Sequence, residues 1–115
     1  MIIDILTLFP EMFLSPLDAS IIKRAREQKL VNINPINIRD YAIDKHQQVD
    51  DYPYGGGCGM VMKPDVLDRA IMSNKKDDTF TIYMSPQGKP LVQPKVVELS
   101  KKPHLLILCG HYEGI

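Results

Sequence analysis

The sequence predicts an α/β fold in which a mostly parallel sheet carries helices on both faces. Segments with strand-like apolar patterns alternate with segments of helical periodicity along the chain. This alternation is typical of parallel sheets, because parallel strands need crossover connections and these are usually helices. The chain has 115 residues, the size of one domain, and shows no internal repeat, low-complexity tract or domain boundary.

The first part of the chain predicts a strand, a helix and a second strand. The run 2–8 is almost continuously apolar, as in a strand buried on both faces. A helix is predicted from Pro16 to about Gln28, because Pro16 suits a first helical position and four apolar residues share one face. These four are Leu17, Ile21, Ile22 and Ala25. The second strand spans residues 31–38, and Pro35 predicts that it lies at an edge or contains a bulge.

The second part of the chain predicts two further helices and three strands. Residues 60–62 form a short strand, and Pro64 then begins a helix with one apolar side. The apolar residues of that helix are Val66, Leu67, Ala70 and Ile71. Residues 79–84 alternate between the two faces of a strand, and a helix through 95–100 leads to the strongly apolar strand 104–108.

The charges of the chain balance, with 14 Lys and Arg against 14 Asp and Glu. This balance excludes a histone-like polycation and an acidic disordered tail, but it allows a local basic face. Residues 20–49 carry six Lys or Arg against three acids. That segment fits either a solvent-exposed helix face or a surface that meets phosphates, and the composition leaves both open.

The two cysteines, Cys58 and Cys109, are too few for a disulfide scaffold, so a reducing compartment is the simpler interpretation. No apolar run approaches the ~20 residues of a membrane-spanning helix. The N-terminus, Met1-Ile2-Ile3-Asp4, lacks the basic region of a signal peptide. We therefore expect a cytoplasmic protein with no membrane partner.

Two predicted strands end in loops rich in small residues, at 84–88 and 109–114. Ligands of open parallel sheets bind beyond the carboxyl ends of the strands, and glycines there let the backbone approach a ligand closely. We expect the two loops to lie side by side at one end of the sheet. Backbone groups in such loops can read an adenine edge or hold a carboxylate, but ordinary turn chemistry explains the same residues equally well.

Residues 39–59 show neither the strand nor the helix period, and a long irregular loop in a compact domain is usually functional or disordered. Interspersed tyrosines and apolar residues argue against disorder. The Gly55–Gly59 run lacks the Lys and Ser or Thr of a P-loop, so a flexible hinge is the favoured interpretation. Asp50 and Asp51 point to opposite faces if the segment is extended, and the three histidines show no metal-ligand spacing with the cysteines. The residues predict no metal site.

Six short motifs, in order along the chain, resemble those of the bacterial tRNA (guanine-N1)-methyltransferases, which belong to the knotted SPOUT class. They are Leu8–Phe13 (LFPEMF), Arg39–Tyr41 (RDY), Asp44–His46 (DKH), Val49–Pro64 (VDDYPYGGGCGMVMKP), Ser85–Lys89 (SPQGK) and Cys109–Ile115 (CGHYEGI). The motifs reach from one end of the chain to the other, and six in order are far more specific than any one of them.

The resemblance implies S-adenosylmethionine as methyl donor and, as substrate, the guanine on the 3′ side of the anticodon in certain tRNAs. In this family the donor sits bent in a deep trefoil knot. The implied donor-binding residues are Met84, Ser85, Pro86, Gln87, Gly88, Gly110, Tyr112, Glu113 and Gly114. The implied contacts to the tRNA and its guanine are Arg39, Lys45, His46, Cys58 and Gly59.

The resemblance also implies a homodimer. In family members the loop that corresponds to the one ending at Cys58-Gly59 approaches the target guanine from the partner subunit. Because residues 44–59 lack a core period, we expect them to be mobile without tRNA and a partner. The resemblance leaves room for a divalent magnesium ion, although no ligand set in the sequence predicts one.

The catalytic base of the family is an aspartate, aided by an arginine, and both are expected downstream of Ile115. Residues 1–115 are thus expected to be the N-terminal part of the donor-binding domain, without the knot-closing segment, the C-terminal tRNA-binding domain or a catalytic residue. We expect this chain alone to be inactive. Two alternatives stay open: a small complete nucleotide- or phosphate-binding α/β protein, and an RNA-binding module without catalysis.

Overall fold

The computed structural model describes residues 1–42, 50–51, 61–85 and 87–110. Its strands are β1 (Ile2–Thr7), β2 (Asn32–Asn37), β3 (Asp50–Asp51), β4 (Val61–Met62), β5 (Thr79–Met84) and β6 (His104–Cys109). Its α-helices are α1 (Leu14–Leu17), α2 (Ser20–Glu27), α3 (Pro64–Asn74) and α4 (Gln93–Ser100). Short 3₁₀ helices span Pro10–Phe13 and Ile38–Tyr41, and we call the second the Arg39 turn.

Four of the strands form a parallel sheet in the order β2-β1-β6-β5. The predicted parallel α/β fold is therefore confirmed. Strands β1 and β6 take the inner positions, which is where continuous apolar runs are expected because both faces are covered. Strands β3 and β4 pair antiparallel in a separate two-stranded sheet. Of the short strand predicted at 60–62, the structure describes Val61–Met62, which lie outside the main sheet.

Strand β2 lies at an edge of the parallel sheet, as Pro35 predicts. Its one partner among the described strands is β1, with Pro35 opposite Ile5 in the register. Proline has no amide hydrogen to donate, so it is tolerated at an edge and not between two partner strands. Strand β5 forms the other edge of the sheet as described, and the two edges flank the strands that carry the core.

One face of the sheet packs against α3 and the Arg39 turn. The buried residues of this face are Leu6, Leu8, Ile38, Val66, Leu67, Ala70, Leu106 and Leu108. They include three of the four apolar residues predicted for α3, and the fourth, Ile71, is partly buried against the same cluster. The Arg39 turn joins this core through Ile38, which is fully buried. The helix and the turn are thus fixed to the sheet by the same apolar contact.

The opposite face of the sheet carries α4. Successive strand residues point to opposite faces, so Phe80 of β5 lies on the face away from α3. The ammonium groups of Lys95 and Lys102 lie 5.3 Å and 5.1 Å from the centre of the Phe80 ring. The connection through α3 runs from β2 across the sheet to β5, and the connection through α4 runs back from β5 to β6. Because crossovers between parallel strands are right-handed, these opposite directions place α3 and α4 on opposite faces. Helices therefore cover both faces, as predicted.

The predicted continuous helix over residues 16–28 is wrong. The segment contains the end of α1 and all of α2, with Asp18 and the extended Ala19 between them, and Ser20, the first residue of α2, has φ 53°. In a continuous helix the Leu17 carbonyl would accept from a backbone amide four residues later. It accepts instead from Nη1 of Arg26 at 2.7 Å. The Arg26 side chain, nine residues further along the chain, thus supplies the hydrogen bond that the last carbonyl of α1 would otherwise lack. This bond allows the helix to end at Leu17.

The break also divides the apolar face that the helical spacing predicts. Leu17 is buried, whereas Ile21 and Ile22 of α2 are 75% and 40% exposed. Spacing alone predicts which residues would share a face of an unbroken helix. It does not reveal that the segment bends between them, so the helical content was predictable and the packing was not.

Candidate functional site

The carboxyl ends of β5 and β6 lie next to each other at one end of the sheet. The two strands are parallel neighbours, and their last registered pair is Met84 with Cys109. Ser85 and Gly110 therefore leave the sheet side by side. The predicted adjacency of the two strand-end loops is confirmed for these described residues, while the binding of a ligand between them stays a prediction.

Gly110 lies against the ring of Tyr83. A Cβ atom added at Gly110 would lie 3.5 Å from the Tyr83 hydroxyl oxygen and 3.6 Å from its Cε2 atom, which are ordinary contact distances. Tyr83 is 47% exposed, so its ring presents apolar surface next to the glycine. Tyr83 is missing from the predicted set, although its position directly before Met84 at a strand end was a usable signal.

The residues after β5 form a tight turn. The Gly88 amide donates to the Ser85 carbonyl oxygen at 3.1 Å, and the Gln87 amide donates to Ser85 Oγ at 3.1 Å. A Cβ atom at Gly88 would lie 3.3 Å from that carbonyl oxygen, which is tighter than most real contacts. Ser85 and Gly88 thus have a turn-forming role, whereas Met84, with a 57% exposed side chain, presents apolar surface.

Cys109 ends β6 as a free, partly buried thiol. Desolvation by burial raises the pKa of this thiol above its ordinary value. The nucleophilic thiolate is therefore scarcer near neutral pH than in an exposed cysteine. This agrees with the interpretation of Cys109 as a small packing residue and argues against a nucleophile at this position.

Arg39 lies at the same end of the sheet, but away from the β5–β6 pair. The Arg39 turn follows β2, and β2 and β5 are opposite edge strands. Three strand spacings of about 4.8 Å each separate the two edges by about 14 Å. Arg39 and the Ser85–Gly110 pair therefore border one end of the sheet at two separate places.

The remaining predicted site residues lie outside the described ranges. They are Lys45, His46, Cys58, Gly59, Pro86, Tyr112, Glu113 and Gly114. Most of segment 44–59, for which mobility is predicted, lies outside them too. Within the residues that the structure describes, no three His, Cys, Asp or Glu side chains form a group that can hold a metal ion. The same ranges contain no helix that is long and apolar enough to cross a membrane.

The fold and the site together define a class of protein. It is a parallel α/β protein in which β5 and β6 end side by side and each leads to a glycine, at the carboxyl end of the sheet where such folds bind their ligands. The family described as tRNA (Guanine-1)-methyltransferase TrmD matches residues 1–115 of the chain. The chain therefore belongs to this family, and the resemblance carried by its motifs is confirmed.

Curated relatives support the same assignment over nearly all of the chain. A tRNA (guanine-N(1)-)-methyltransferase from Syntrophomonas wolfei is 66% identical over 113 residues, which are 98% of this chain and 46% of that protein. Proteins of the same name from Carboxydothermus hydrogenoformans and Dictyoglomus turgidum are 56% and 54% identical, with 45% and 46% of their own lengths covered. The chain thus spans about half the length of the curated relatives it matches.

Proposed function

We propose that this chain is the N-terminal part of the donor-binding domain of a tRNA (guanine-N1)-methyltransferase. The reaction is methylation of N1 of the guanine 3′ to the anticodon, with S-adenosylmethionine as methyl donor. The observation that supports this proposal most is the juxtaposition of Ser85 and Gly110 in a chain of this family. These two residues begin the two loops that the proposal assigns to the donor.

The residues at the ends of β5 and β6 fit an S-adenosylmethionine site. Gly110 has no side chain, and the exposed ring of Tyr83 beside it offers an apolar surface. Met84 is assigned to the pocket through its backbone, because its exposed side chain points to the opposite face of β5 from Tyr83. Backbone N–H and C=O groups of the two loops would pair with the adenine edge. The other residues assigned to this pocket are Ser85, Pro86, Gln87, Gly88, Tyr112, Glu113 and Gly114. The donor supplies a methyl group on a sulfonium ion.

The tRNA side of the proposed site lies across the end of the sheet. It consists of Arg39, Lys45, His46, Cys58 and Gly59. Positive side chains such as Arg39 and Lys45 suit contacts with backbone phosphates, because phosphates dominate the affinity of nucleic-acid binding. Guanine N1 must also lose its proton to a general base. We expect that base beyond Ile115, so no residue of this chain is assigned the role.

We further propose that the working enzyme is a cytoplasmic homodimer. The loop that ends at Cys58-Gly59 would then reach a guanine held at the partner subunit. A magnesium ion is compatible with this proposal, but none of the described residues is assigned to hold it. Because Arg39 and Ser85 follow opposite edge strands, those two residues of a single protomer are separated by about 14 Å across the end of the sheet.

The proposal is tested with a hybrid enzyme, in which this chain replaces the matching 113 residues of the Syntrophomonas wolfei protein. The hybrid is incubated with unmodified tRNA and S-adenosylmethionine, and 1-methylguanosine is measured by mass spectrometry of the digested tRNA. We expect methylation at the guanine 3′ to the anticodon. The unaltered Syntrophomonas wolfei protein is the positive control.

Gly110→Val provides a matched inactive variant, because its branched side chain would occupy the space beside Tyr83. It is expected to lose donor binding in calorimetry while the hybrid stays folded. A folded hybrid that fails to bind S-adenosylmethionine would refute the donor site. Binding of tRNA by the 115-residue chain, combined with a folded but inactive hybrid, would instead favour an RNA-binding module without catalysis.

A further inference from the structure

The Arg39 turn is closed at both ends by hydrogen bonds to the residues that flank it. At its start, Asn37 Oδ1 accepts from the Arg39 amide at 3.0 Å and so caps the turn. At its end, the Ala42 amide donates to the Arg39 carbonyl oxygen at 3.1 Å. Both backbone polar groups of Arg39 are therefore engaged, and the origin of its side chain is fixed.

Tyr41, the last residue of the turn, is held by two side chains of α3. Arg69 Nε donates to the Tyr41 carbonyl oxygen at 2.8 Å. Asn74 Nδ2 donates to the Tyr41 hydroxyl oxygen at 2.9 Å and to the Ala70 carbonyl oxygen at 2.8 Å. An amide group has two hydrogens to donate, so Asn74 uses both of them here. Arg69 and Asn74 thus hold Tyr41 at its backbone carbonyl and at its ring hydroxyl, and we call these two contacts the grip.

The helix that supplies this grip is itself rigidly placed. Val66, Leu67 and Ala70 of α3 are buried against the sheet, with exposures of 2% or less. Arg69 and Asn74 project from the same helix toward the turn, while Ile38 anchors the turn in the same core. Any movement of the Arg39 turn relative to the sheet must therefore break hydrogen bonds to α3 or open the core.

We propose that Arg69 and Asn74 are positioning residues that hold the Arg39 turn in the geometry for contact with the tRNA backbone. This proposal rests on the proposed function, in which Arg39 faces the substrate. A guanidinium binds phosphate through a planar fork with a preferred direction, so its affinity depends on where the side chain originates. Holding the turn before binding also reduces the ordering that binding would otherwise require.

The test removes the contacts between α3 and Tyr41 by single substitutions, of which Asn74→Ala also removes the bond to the Ala70 carbonyl and Arg69→Met the 3.7 Å ion pair with Asp65. Tyr41→Phe deletes only the hydroxyl, Asn74→Ala deletes its donor, and Arg69→Met deletes the bond to the carbonyl while keeping an aliphatic side chain. Arg69→Lys retains a donor and serves as the conservative variant. Met72→Ala is the control in the same helix, because its side chain is 64% exposed.

Amide hydrogen exchange of the 115-residue chain reports on the turn directly. We expect exchange at Arg39 and Ala42 to accelerate about tenfold in the three deletion variants, the size of one lost hydrogen bond, with no change at the β6 amides. Tyr41→Phe combined with Asn74→Ala should be no worse than Asn74→Ala alone, since both remove the same bond to the hydroxyl. Unchanged exchange in the deletion variants would overturn the proposal.

Steady-state kinetics of the hybrid enzyme then separate positioning from general stability. We expect KM for tRNA to rise about tenfold, whereas KM for the donor and kcat stay constant, with Arg69→Lys close to the parent. A parallel change in both KM values would mean that the grip is only structural. If the parent hybrid binds no tRNA while exchange at the turn responds as expected, the proposed function fails and the substrate role of the grip falls with it.

Discussion

The two glycines of the strand-end loops differ in what an added methyl group would meet. At Gly110 it would touch Tyr83 at ordinary distance, whereas at Gly88 it would press on a backbone carbonyl at 3.3 Å. Gly110→Ala is therefore expected to leave the free energy of unfolding unchanged or raised by up to about 1 kcal/mol, since alanine restricts the unfolded chain. Gly88→Ala is expected to lower it by about 1 kcal/mol.

Urea unfolding of both variants and donor titration by calorimetry measure these effects. Gly110→Ala should weaken donor binding although its fold is intact, because the methyl group takes space that the proposed site leaves for the ligand. Equal donor affinities of this variant and the parent would show that the donor does not approach Gly110. A larger stability loss for Gly110→Ala than for Gly88→Ala would contradict the contact distances.

The buried thiol of Cys109 makes the free energy of unfolding depend on pH. Burial raises the pKa of its thiol above the ordinary 9.0, so the folded chain holds this proton more tightly than the unfolded chain does. The contribution to the free energy of unfolding must then decrease as the pH rises from the unfolded pKa through the folded one. In a Cys58→Ser variant, alkylation of Cys109 near pH 9 should be slower when folded than in urea. Equal rates in the two states would contradict a buried thiol.

At the scale of elements, α2 ends in a Schellman motif whose left-handed residue is a lysine. The Leu30 amide donates to the Ala25 carbonyl at 2.9 Å, the Lys29 amide donates to the Arg26 carbonyl at 3.0 Å, and Lys29 has φ 58°. Glycine is favoured at this position because it has no Cβ atom to strain. Lys29→Gly is thus expected to raise the free energy of unfolding by about 1 kcal/mol.

A substitution to glycine inside α2 is the matched control, with an expected effect of opposite sign on the free energy of unfolding. Arg24→Gly is expected to lower the free energy of unfolding by about 1 kcal/mol, because glycine is a poor helix former away from the end. Urea unfolding of the two variants should therefore give changes of opposite sign. A loss of stability in both would mean that the positive φ of Lys29 stores no strain that glycine can relieve.

The elements also show how far the sequence alone reaches. The strands of the main sheet and α3 follow from local periodicity, and the neighbouring ends of β5 and β6 follow from the general rule for parallel sheets. The break between α1 and α2 depends on the bond from Arg26 to the Leu17 carbonyl, which no local pattern contains. The tRNA side of the candidate site has no periodic signal either, so its residues were found through motif resemblance alone.

At the scale of the whole sheet, a row of hydrogen-bonded side chains crosses the amino ends of all four parallel strands. Its members are Asn34 of β2, Asp4 of β1, His104 of β6 and Thr79 of β5. His104 lies 2.8 Å from Asp4 Oδ2 through Nε2 and 2.6 Å from Thr79 Oγ1 through Nδ1, and Asn34 Nδ2 donates to Asp4 Oδ1 at 2.9 Å. The His104 side chain is only 4% exposed. In the sequence, β6 has the pattern of an apolar strand, and no local pattern predicts this row of hydrogen-bonded side chains.

Asp4 is the member of the row that accepts from both neighbours, so its loss should cost the most. Asp4→Ala would leave the His104 Nε2 hydrogen and an Asn34 amide hydrogen without their acceptor, and a buried donor without a partner costs about 1–3 kcal/mol. We expect the free energy of unfolding to fall by about 2 kcal/mol in urea, since the 14% exposure of the Asp4 side chain lets water replace part of the loss. Asp68→Ala, at an exposed position of α3, should change it by less than about 0.5 kcal/mol.

Adding His104→Leu to Asp4→Ala should cost less than the sum of the two single changes, because the second removes the donor that the first leaves unpaired. Strict additivity would mean that Asp4 and His104 are not energetically coupled.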